Sequence, residues 1–303
     1  MRDMRNWGWL FILFLILAVA LPARAGVVAD FFDDGFNASS MGIAGACITK
    51  GAGTDSIFLN PAQIAVYNSK TLEISQNSKF GGDVKEWAGA FIIPISSKYT
   101  VGFAFPYSKI ADLQLTEENL VTNEGRVIGN FSDTRYGICV SFAAKIKSNF
   151  LAGTTIKYFS HRISDSKGSS LGADLGLIYS LKNFDIAFVM QNIGGMKIKY
   201  NTGAVDEIRT KYKLGLAYKI KENISLEFVK EFGKLEVSAF RLGGDFKLNK
   251  NLSIKAGLAK KGSTINITTG VNIDYNKFIF DYSYLNDAEG LGDTHRFTLG
   301  VKL

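Results

Sequence analysis

The sequence predicts an all-β protein, a 14-stranded antiparallel transmembrane β-barrel with a small N-terminal hatch inside the lumen. Three observations lead to this prediction. Long stretches alternate with a period of two: in 296–303 the even positions are polar or small and the odd positions are apolar. Short turns alternate with longer polar connections between these stretches. The 12 Tyr and 23 Phe include many near the ends of the apolar faces, as in an aromatic girdle.

The first 25 residues have the features of a secretory signal peptide (1–25). Arg2 and Arg5 give a positive start, 7–21 is an uninterrupted apolar run, and 23–25 is a small-x-small cleavage site. A membrane anchor is the alternative, but the run is short and a cleavage site follows it. No later run is long enough for a membrane helix. We expect an exported outer-membrane protein with both termini in the periplasm.

Residues 26–69 lack the alternation of the segments that follow. Gly and Ala are dense in 41–53, where small residues allow close backbone packing, and 60–62 is Asn-Pro-Ala, a turn signal. We expect a compact hatch with one short helix near 38–48 and another near 61–66.

The predicted barrel covers residues 70–303. Most of its segments have the roughly ten residues that a tilted bilayer-crossing strand needs. A soluble β-sandwich is the alternative, but these strands are long and their polar faces are rich in Gly and in charges of both signs. The predicted strands are 70–79, 84–95, 100–108, 133–147, 150–161, 170–181, 184–193, 209–220, 223–232, 236–248, 251–260, 264–275, 277–286 and 295–303. Residues 109–132, 162–169, 194–208 and 287–294 are the predicted longer loops.

The residues before the first strand carry a resemblance to a known family. The segments 39–42 (Ser-Ser-Met-Gly) and 45–46 (Gly-Ala), Asp55, and 60–62 (Asn-Pro-Ala) resemble the hatch of the FadL-like outer-membrane barrel superfamily, and most closely that of the PorV/PorQ family. Gln63 departs from the pattern, since Gly often follows Asn-Pro-Ala in the family. The resemblance implies a 14-stranded barrel with a luminal hatch, and it assigns the hatch motif to Gly42, Gly45, Asn60, Pro61 and Ala62.

Two functions follow from this resemblance. The first is a FadL-like channel for the passage of small hydrophobic molecules. The alternative is a PorV/PorQ-like component for secretion or surface attachment of proteins. The expected partners are outer-membrane lipid and either a hydrophobic small molecule or secreted and secretion-system proteins.

Pro106 is predicted to face the lumen near the outer end of the third strand. Proline cannot donate to a sheet ladder and is found at strand edges and bulges. The resemblance implies a kink of the third strand that opens a window to the bilayer, and Pro106 is the candidate for this lateral opening. The alternative is that the strand ends there.

Alternation also places a set of basic side chains in the lumen. One role for them is to hold a carboxylate head group, and the alternative is pairing with luminal Asp residues to keep the hatch seated. A shift of one residue would reverse each assignment. The lumen-facing basic residues are Lys145, Lys157, Lys211, Lys213, Arg241 and Lys255.

Little in the sequence indicates catalysis, a cofactor or a metal site. His161 and His295 are the only histidines and lack a local Ser or carboxylate signature, and metal spacings and phosphate loops are missing. A net charge of +7 without basic clusters does not favour nucleic acid. Cys47 and Cys139 leave open either a disulfide between hatch and wall or two buried thiols. We expect a protein that is not an enzyme.

Overall fold

The computed structural model describes residues 31–119, 124–233, 238–286, 288 and 290–303, so the predicted signal peptide, 1–25, lies outside the described residues. Fourteen antiparallel strands form a closed barrel, which confirms the predicted fold class. The first and last strands pair with each other from Thr71 opposite Lys302 to Ser78 opposite His295.

Each strand alternates between residues that face the lumen and residues that face outward. The barrel strands are β1 (Thr71–Lys79), β2 (Val84–Pro94), β3 (Tyr99–Asn119), β4 (Glu124–Lys147), β5 (Phe150–Ile163), β6 (Ser166–Ser180), β7 (Phe184–Gln191), β10 (Lys211–Lys221), β11 (Ile224–Gly233), β12 (Ala239–Lys247), β13 (Leu252–Lys261), β14 (Thr264–Tyr275), β15 (Phe278–Leu285) and β16 (Thr294–Lys302). Two further strands, β8 (Met196–Tyr200) and β9 (Val205–Ile208), form a hairpin that pairs with β6.

The two ends of the barrel are unlike. At the turn end, where Lys70 and Leu303 lie, short turns such as 148–149 and 276–277 join neighbouring strands. The loop end carries the longer connections, among them the β8–β9 hairpin.

The predicted loop at 109–132 was wrong, because β3 and β4 continue through most of it. Residues 110–119 and 124–131 form a two-stranded ribbon that extends beyond the partners of both strands at the loop end. The pairing shifts between Ile110 and Leu113 and again between Leu115 and Thr116. Each bulge moves the following side chains to the other face, so the period of two is lost from the sequence. The predicted loop at 194–208 likewise contains a hairpin, β8–β9.

The hatch, described from residue 31 to 69, contains four short helical pieces. They are α1 (Ala38–Met41), a 3₁₀ helix (Gly53–Asp55), α2 (Ser56–Leu59) and a second 3₁₀ helix (Pro61–Val66). The first helix is shorter than the predicted 38–48, because a turn follows Gly42 and Gly45 has a φ of +70°. No helix among the described residues is both long and apolar enough to cross a bilayer.

The hydrophobic core lies inside the lumen. Hatch residues such as Phe36 and Ile64 are buried against the wall, whereas the outer face of the wall exposes apolar side chains such as Ile156 and Leu299. An apolar outer face is what a bilayer requires of a barrel wall.

Candidate functional site

The hatch and its seat in the barrel wall form the candidate site, and Asp55 organises the hatch itself. Its carboxylate accepts the backbone N–H of Phe36 at 2.8 Å, that of Asn37 at 2.8 Å, and the hydroxyl of Ser40. All these groups are buried. Gly35 passes so close to this carboxylate that a Cβ there would clash with it. Asp55 therefore supplies the acceptor for a turn that no regular helix or strand satisfies.

The Asn-Pro-Ala turn joins two parts of the hatch. The side-chain carbonyl of Asn60 caps the following 3₁₀ helix by accepting the N–H of Ala62 at 3.0 Å, and its amide donates to the carbonyl of Ile48 at 2.6 Å. Pro61 stands at the first position of this helix, where its missing N–H costs nothing. Gln63, where the family often has Gly, donates to the carbonyl of Cys47 at 2.5 Å.

Two cross-strand pairs of glycines in the wall receive the hatch backbone. Gly153 lies opposite Gly176, and a Cβ on Gly153 would lie 2.5 Å from the carbonyl carbon of Pro61. Gly243 lies opposite Gly257 on the other side of the lumen, and the backbone at residues 43–44 packs onto them. We call these two pairs the glycine saddles. Each allows a backbone-to-backbone contact that any side chain would prevent.

The predicted hatch glycines make similar close contacts. A Cβ on Gly42 would lie 3.1 Å from the Cα of Gly270, and one on Gly45 would lie 2.7 Å from the guanidinium of Arg241. The same guanidinium donates to the carbonyl of Ala44 at 3.0 Å. The motif residues of the hatch thus lie at its contacts with the wall.

Two adjacent hatch carboxylates meet a cluster of wall cations. Lys211 and Lys213 each form an ion pair with one carboxylate oxygen of Asp33, and the distance from Lys213 is 2.8 Å. Arg241 donates to the carboxylate of Asp34 at 3.0 Å. Burial alone would raise the pKa of Asp33, but the nearby cations outweigh it and the pKa lies well below its usual value. Removing one partner of the buried Asp33 pairs is strongly destabilising, so these pairs hold the hatch in place, whereas Asp34 is exposed.

Wall carboxylates also bind hatch groups. Glu73 accepts the N–H and hydroxyl of Thr54 at 3.0 and 2.8 Å, and Glu227 accepts those of Thr49 at 2.7 and 2.6 Å. Sequence reasoning did not single out these two residues or the Asp33–Asp34 pair. The available sequence signal for the Asp33–Asp34 pair was its position, directly after Phe-Phe and ahead of the Gly-rich stretch.

The remaining predicted luminal cations are placed as follows. Lys157 lies 2.9 Å from Asp174, and both side chains are buried. Lys255 donates to the hydroxyl of Ser39 in the hatch. Lys145 is half-buried towards the turn end. All but Lys145 therefore contact a carboxylate or the hatch, which favours seating of the hatch over capture of a free head group.

The ladder between β3 and β4 is interrupted at Pro106. Ala104 pairs with Cys139 and Tyr107 pairs with Tyr136, but residues 105–106 of β3 do not pair with residues 137–138 of β4. Pro106 is buried towards the lumen, and β3 does not end there but continues along the ribbon. A Cβ on Gly137 would lie 2.6 Å from the ring of Phe32 and 3.0 Å from Pro106. The ring of Phe32, a hatch residue, therefore lies behind this break.

Phe32 belongs to an aromatic cluster that fills the lumen at this level. Ring centroids of contacting members are between 5.2 and 6.1 Å apart, mostly in edge-to-face or tilted arrangements. The members are Phe31, Phe32, Phe36, Phe58 and Phe159. The ammonium of Lys157 lies 5.0 Å from the ring centroid of Phe32, so this apolar layer borders the buried Lys157–Asp174 pair.

The β8–β9 hairpin packs against the inner face of β6 at the loop end. The hydroxyl of Tyr200 lies 2.7 Å from Nδ1 of His161 and donates to the carboxylate of Asp206 at 3.1 Å. Nε2 of His161 lies 3.0 Å from a carboxylate oxygen of Asp133. Burial and then the neighbouring Asp206 raise the pKa of Tyr200 to about 12. This chain of contacts ties the hairpin to the wall. His295 lies on the outer face, 2.9 Å from the hydroxyl of Tyr282.

Cys47 and Cys139 are both buried and are not joined in a disulfide. The sequence left open a disulfide between hatch and wall or two buried thiols, and the structure has two buried thiols.

Two cavities lie at the turn end, and charged residues line both. One, of about 400 Å³, lies between the hatch and β10–β12 and includes Lys219 and Asp245. The other, of about 450 Å³, lies between the hatch and β14–β16 and includes Lys302 and Asp274. Such polar walls suit water and peptide groups better than a hydrocarbon.

Comparison with known proteins gives one family and a set of similar structures. The family model for the type IX secretion system membrane protein PorP/SprF matches residues 119–301. No protein with a curated description matches significantly. The CymD monoaromatic hydrocarbon channel is similar with a TM-score of 0.65, at 10% identity over 88% of this chain and 96% of that one. The Pseudomonas putida toluene transporter TodX is similar with a TM-score of 0.63, at 12% identity over 90% and 98%. At these identities the likeness shows the fold alone.

Proposed function

Since this chain belongs to the type IX secretion system membrane protein PorP/SprF family, we propose that it serves protein secretion as a closed barrel that binds other components. The barrel is an outer-membrane protein. The predicted resemblance to outer-membrane barrels of type IX secretion is confirmed, and the matching family model is PorP/SprF.

The filled lumen is the observation that carries this proposal. The hatch is held by ion pairs from Lys213 and Arg241, by the carboxylates of Glu73 and Glu227, and by the glycine saddles. These contacts come from several sides of the wall. A barrel closed in this way has its outer surface and its ends available for partners, which suits a binding role better than a conducting one.

The ribbon supports the same role. Among the described residues, no further strand pairs with its two strands beyond Lys85–Lys109 and Asp133–Ile163, so both of its edges carry unpaired backbone groups there. Such edges are templates for an added strand from another chain. We place the loop end with its ribbon outside the cell and both termini in the periplasm, because an even number of strands returns the chain to the side where it began.

Loss of this protein should abolish surface delivery of type IX cargo in the host bacterium, while uptake of hydrocarbons stays unchanged. A gene deletion complemented with the wild-type chain provides the comparison, and labelling of cargo on intact cells provides the measurement. Normal cargo delivery in the deletion strain would contradict the proposal.

Shortening the ribbon should separate folding from secretion. Joining Ile110 to Asp133 through Asn-Gly replaces the ribbon by a two-residue hairpin turn, because these residues are directly paired. The folded barrel should remain detectable in gels up to the same temperature as wild type, since the ribbon lies beyond the neighbouring strands. Secretion, in contrast, should fail. Secretion at the wild-type level would exclude the ribbon as the binding element.

Passage of small hydrophobic molecules is the second candidate, and the break at Pro106 favours it. The break lies between the apolar aromatic cluster and the bilayer, away from the charged cavities at the turn end, so a ligand that entered there would not cross them. The ring of Phe32 would have to move for a ligand to enter.

Pro106→Val should close this route and slow hydrophobic uptake several-fold. Valine restores a backbone N–H at the interrupted position, so β3 and β4 can pair there. Uptake of a labelled hydrocarbon by cells that express each variant is the measurement. Pro94→Val, at the turn end of β2, is the matched control. Equal uptake by wild type and Pro106→Val would exclude a lateral opening at this position.

A further inference from the structure

The outer surface of the barrel has a cavity of about 740 Å³ at the corner where β2 ends and β3 continues into the ribbon. This volume is within the range of small-molecule sites. The residues that matter here are Asp83, Lys85, Trp87, Tyr107, Lys109 and Asp112. The cavity lies outside the lumen, so its use is independent of whether the hatch moves.

These residues form three tiers along the two strands. Trp87 lies directly opposite Tyr107, and Lys85 lies directly opposite Lys109 one step closer to the loop end. Both aromatic side chains are exposed on the outer face, at 45% and 38%. Tyr and Trp at such positions mark the level of the lipid head groups. The cation pair thus lies immediately beyond the aromatic pair, on the side away from the bilayer centre.

The lysine pair brings two like charges together on neighbouring strands. Directly opposed side chains on neighbouring strands have Cβ atoms about 5 Å apart, and like charges there are destabilising. In the part of the chain that the structure describes, neither ammonium group forms an ion pair. An anion that binds between them would relieve this repulsion, and a phosphate offers oxygens to both.

The third tier is acidic. Asp83 follows the turn at 80–82, and Asp112 lies in the bulge that begins the ribbon, so both carboxylates line the cavity beyond the lysines. From the bilayer outward the order is aromatic, cationic and anionic. A ligand that fills all three tiers has an apolar part, then a phosphate, then a cation.

We propose that this cavity binds the phosphoethanolamine head group of a membrane phospholipid. The acyl and glycerol part lies against Trp87 and Tyr107, the phosphate binds Lys85 and Lys109, and the primary ammonium donates to the acidic tier. A choline head group has no N–H to donate, and a glycerol head group has no cation. The site therefore selects phosphatidylethanolamine over both.

Native mass spectrometry of the full chain tests this selection. The protein is released from nanodiscs that contain equal amounts of phosphatidylethanolamine, phosphatidylcholine and phosphatidylglycerol, and the retained lipids are counted. Wild type should retain phosphatidylethanolamine about fivefold over phosphatidylcholine, the scale of one exposed ion pair. A parallel sample with inorganic phosphate and no added lipid distinguishes a lipid site from a free-phosphate site.

Two double variants separate the tiers. Lys85→Met with Lys109→Met should lower phosphatidylethanolamine retention about fivefold. Asp83→Asn with Asp112→Asn should remove the preference over phosphatidylcholine while total lipid retention stays, and Asn tolerates the positive φ of residue 112. The matched control is Arg162→Met with Lys167→Met, a directly opposed cation pair outside the cavity, which should behave as wild type.

Three results would overturn the proposal. They are equal retention of phosphatidylethanolamine and phosphatidylcholine by wild type, unchanged retention by the lysine variant, and retention of inorganic phosphate without lipid.

Discussion

Asp55→Ala should unseat the hatch and turn a closed barrel into a conducting one. The substitution leaves the N–H groups of Phe36 and Asn37 buried without their acceptor, while the hydroxyl of Ser40 can still donate to the carbonyl of Asn37. Each unsatisfied group costs about 1–3 kcal/mol, so we expect a loss on the order of 2 kcal/mol or more. The turn that precedes α1 then has no fixed shape, and the residues that bind the wall lose their positions.

Single-channel recording in planar bilayers measures this effect. Wild type should show few openings, and Asp55→Ala should show frequent or lasting ones. The temperature at which the folded form disappears from gels should fall as well. Asp165→Ala, which removes an exposed carboxylate from the turn between β5 and β6, is the control and should match wild type. A closed Asp55→Ala barrel of normal heat stability would show that other contacts suffice to seat the hatch.

Gly153→Ala and Gly257→Ala should displace the hatch from its two saddles. The new Cβ would lie 2.5 Å from the carbonyl carbon of Pro61 in the first variant and 2.5 Å from the backbone nitrogen of Ala44 in the second. These obstacles are backbone atoms, and the wall strands are paired on both sides, so neither partner can yield by rotating a side chain. Overpacking of this kind costs about 1–3 kcal/mol.

The double variant should conduct more than either single variant, because the saddles lie on separate parts of the wall. Gly89→Ala is the matched control, since Gly89 is also a strand glycine and its Cβ would meet no atom within 4 Å. The same conductance and heat-stability measurements apply. Variants that stay closed and fully stable would mean that the hatch can shift without losing its seat.

Alternation and turn spacing were sufficient to predict the barrel. Lumen and bilayer impose opposite polarity on neighbouring residues, so Tyr212 and Lys213 report their faces directly. The ribbon was not predictable in this way. Its bulges near Asp112 and between Leu115 and Thr116 reverse the faces within a few residues, and a segment surrounded by water has no requirement for one apolar face.

The hatch was recognised by composition, but its mode of attachment was not. The sequence showed which residues are small and which are charged, and it indicated the Asn-Pro-Ala turn. Pairing of Asp33 with Lys211 and Lys213 joins residues about 180 positions apart in the chain, and no local pattern encodes such a contact. The glycine saddles are equally non-local, since each needs two strands and a distant turn.

The contacts of β16 have a consequence for how the protein assembles. Arg296 donates to the carbonyl of Gly35 at 3.0 Å, and the hydroxyl of Thr298 accepts the N–H of Ala38 at 2.9 Å and lies 2.8 Å from Ser75 on β1. The strand that completes the circle thus binds the plugging segment and the first strand together. These contacts add to the ladder between β1 and β16, so closure of the cylinder and occupation of its interior stabilise each other.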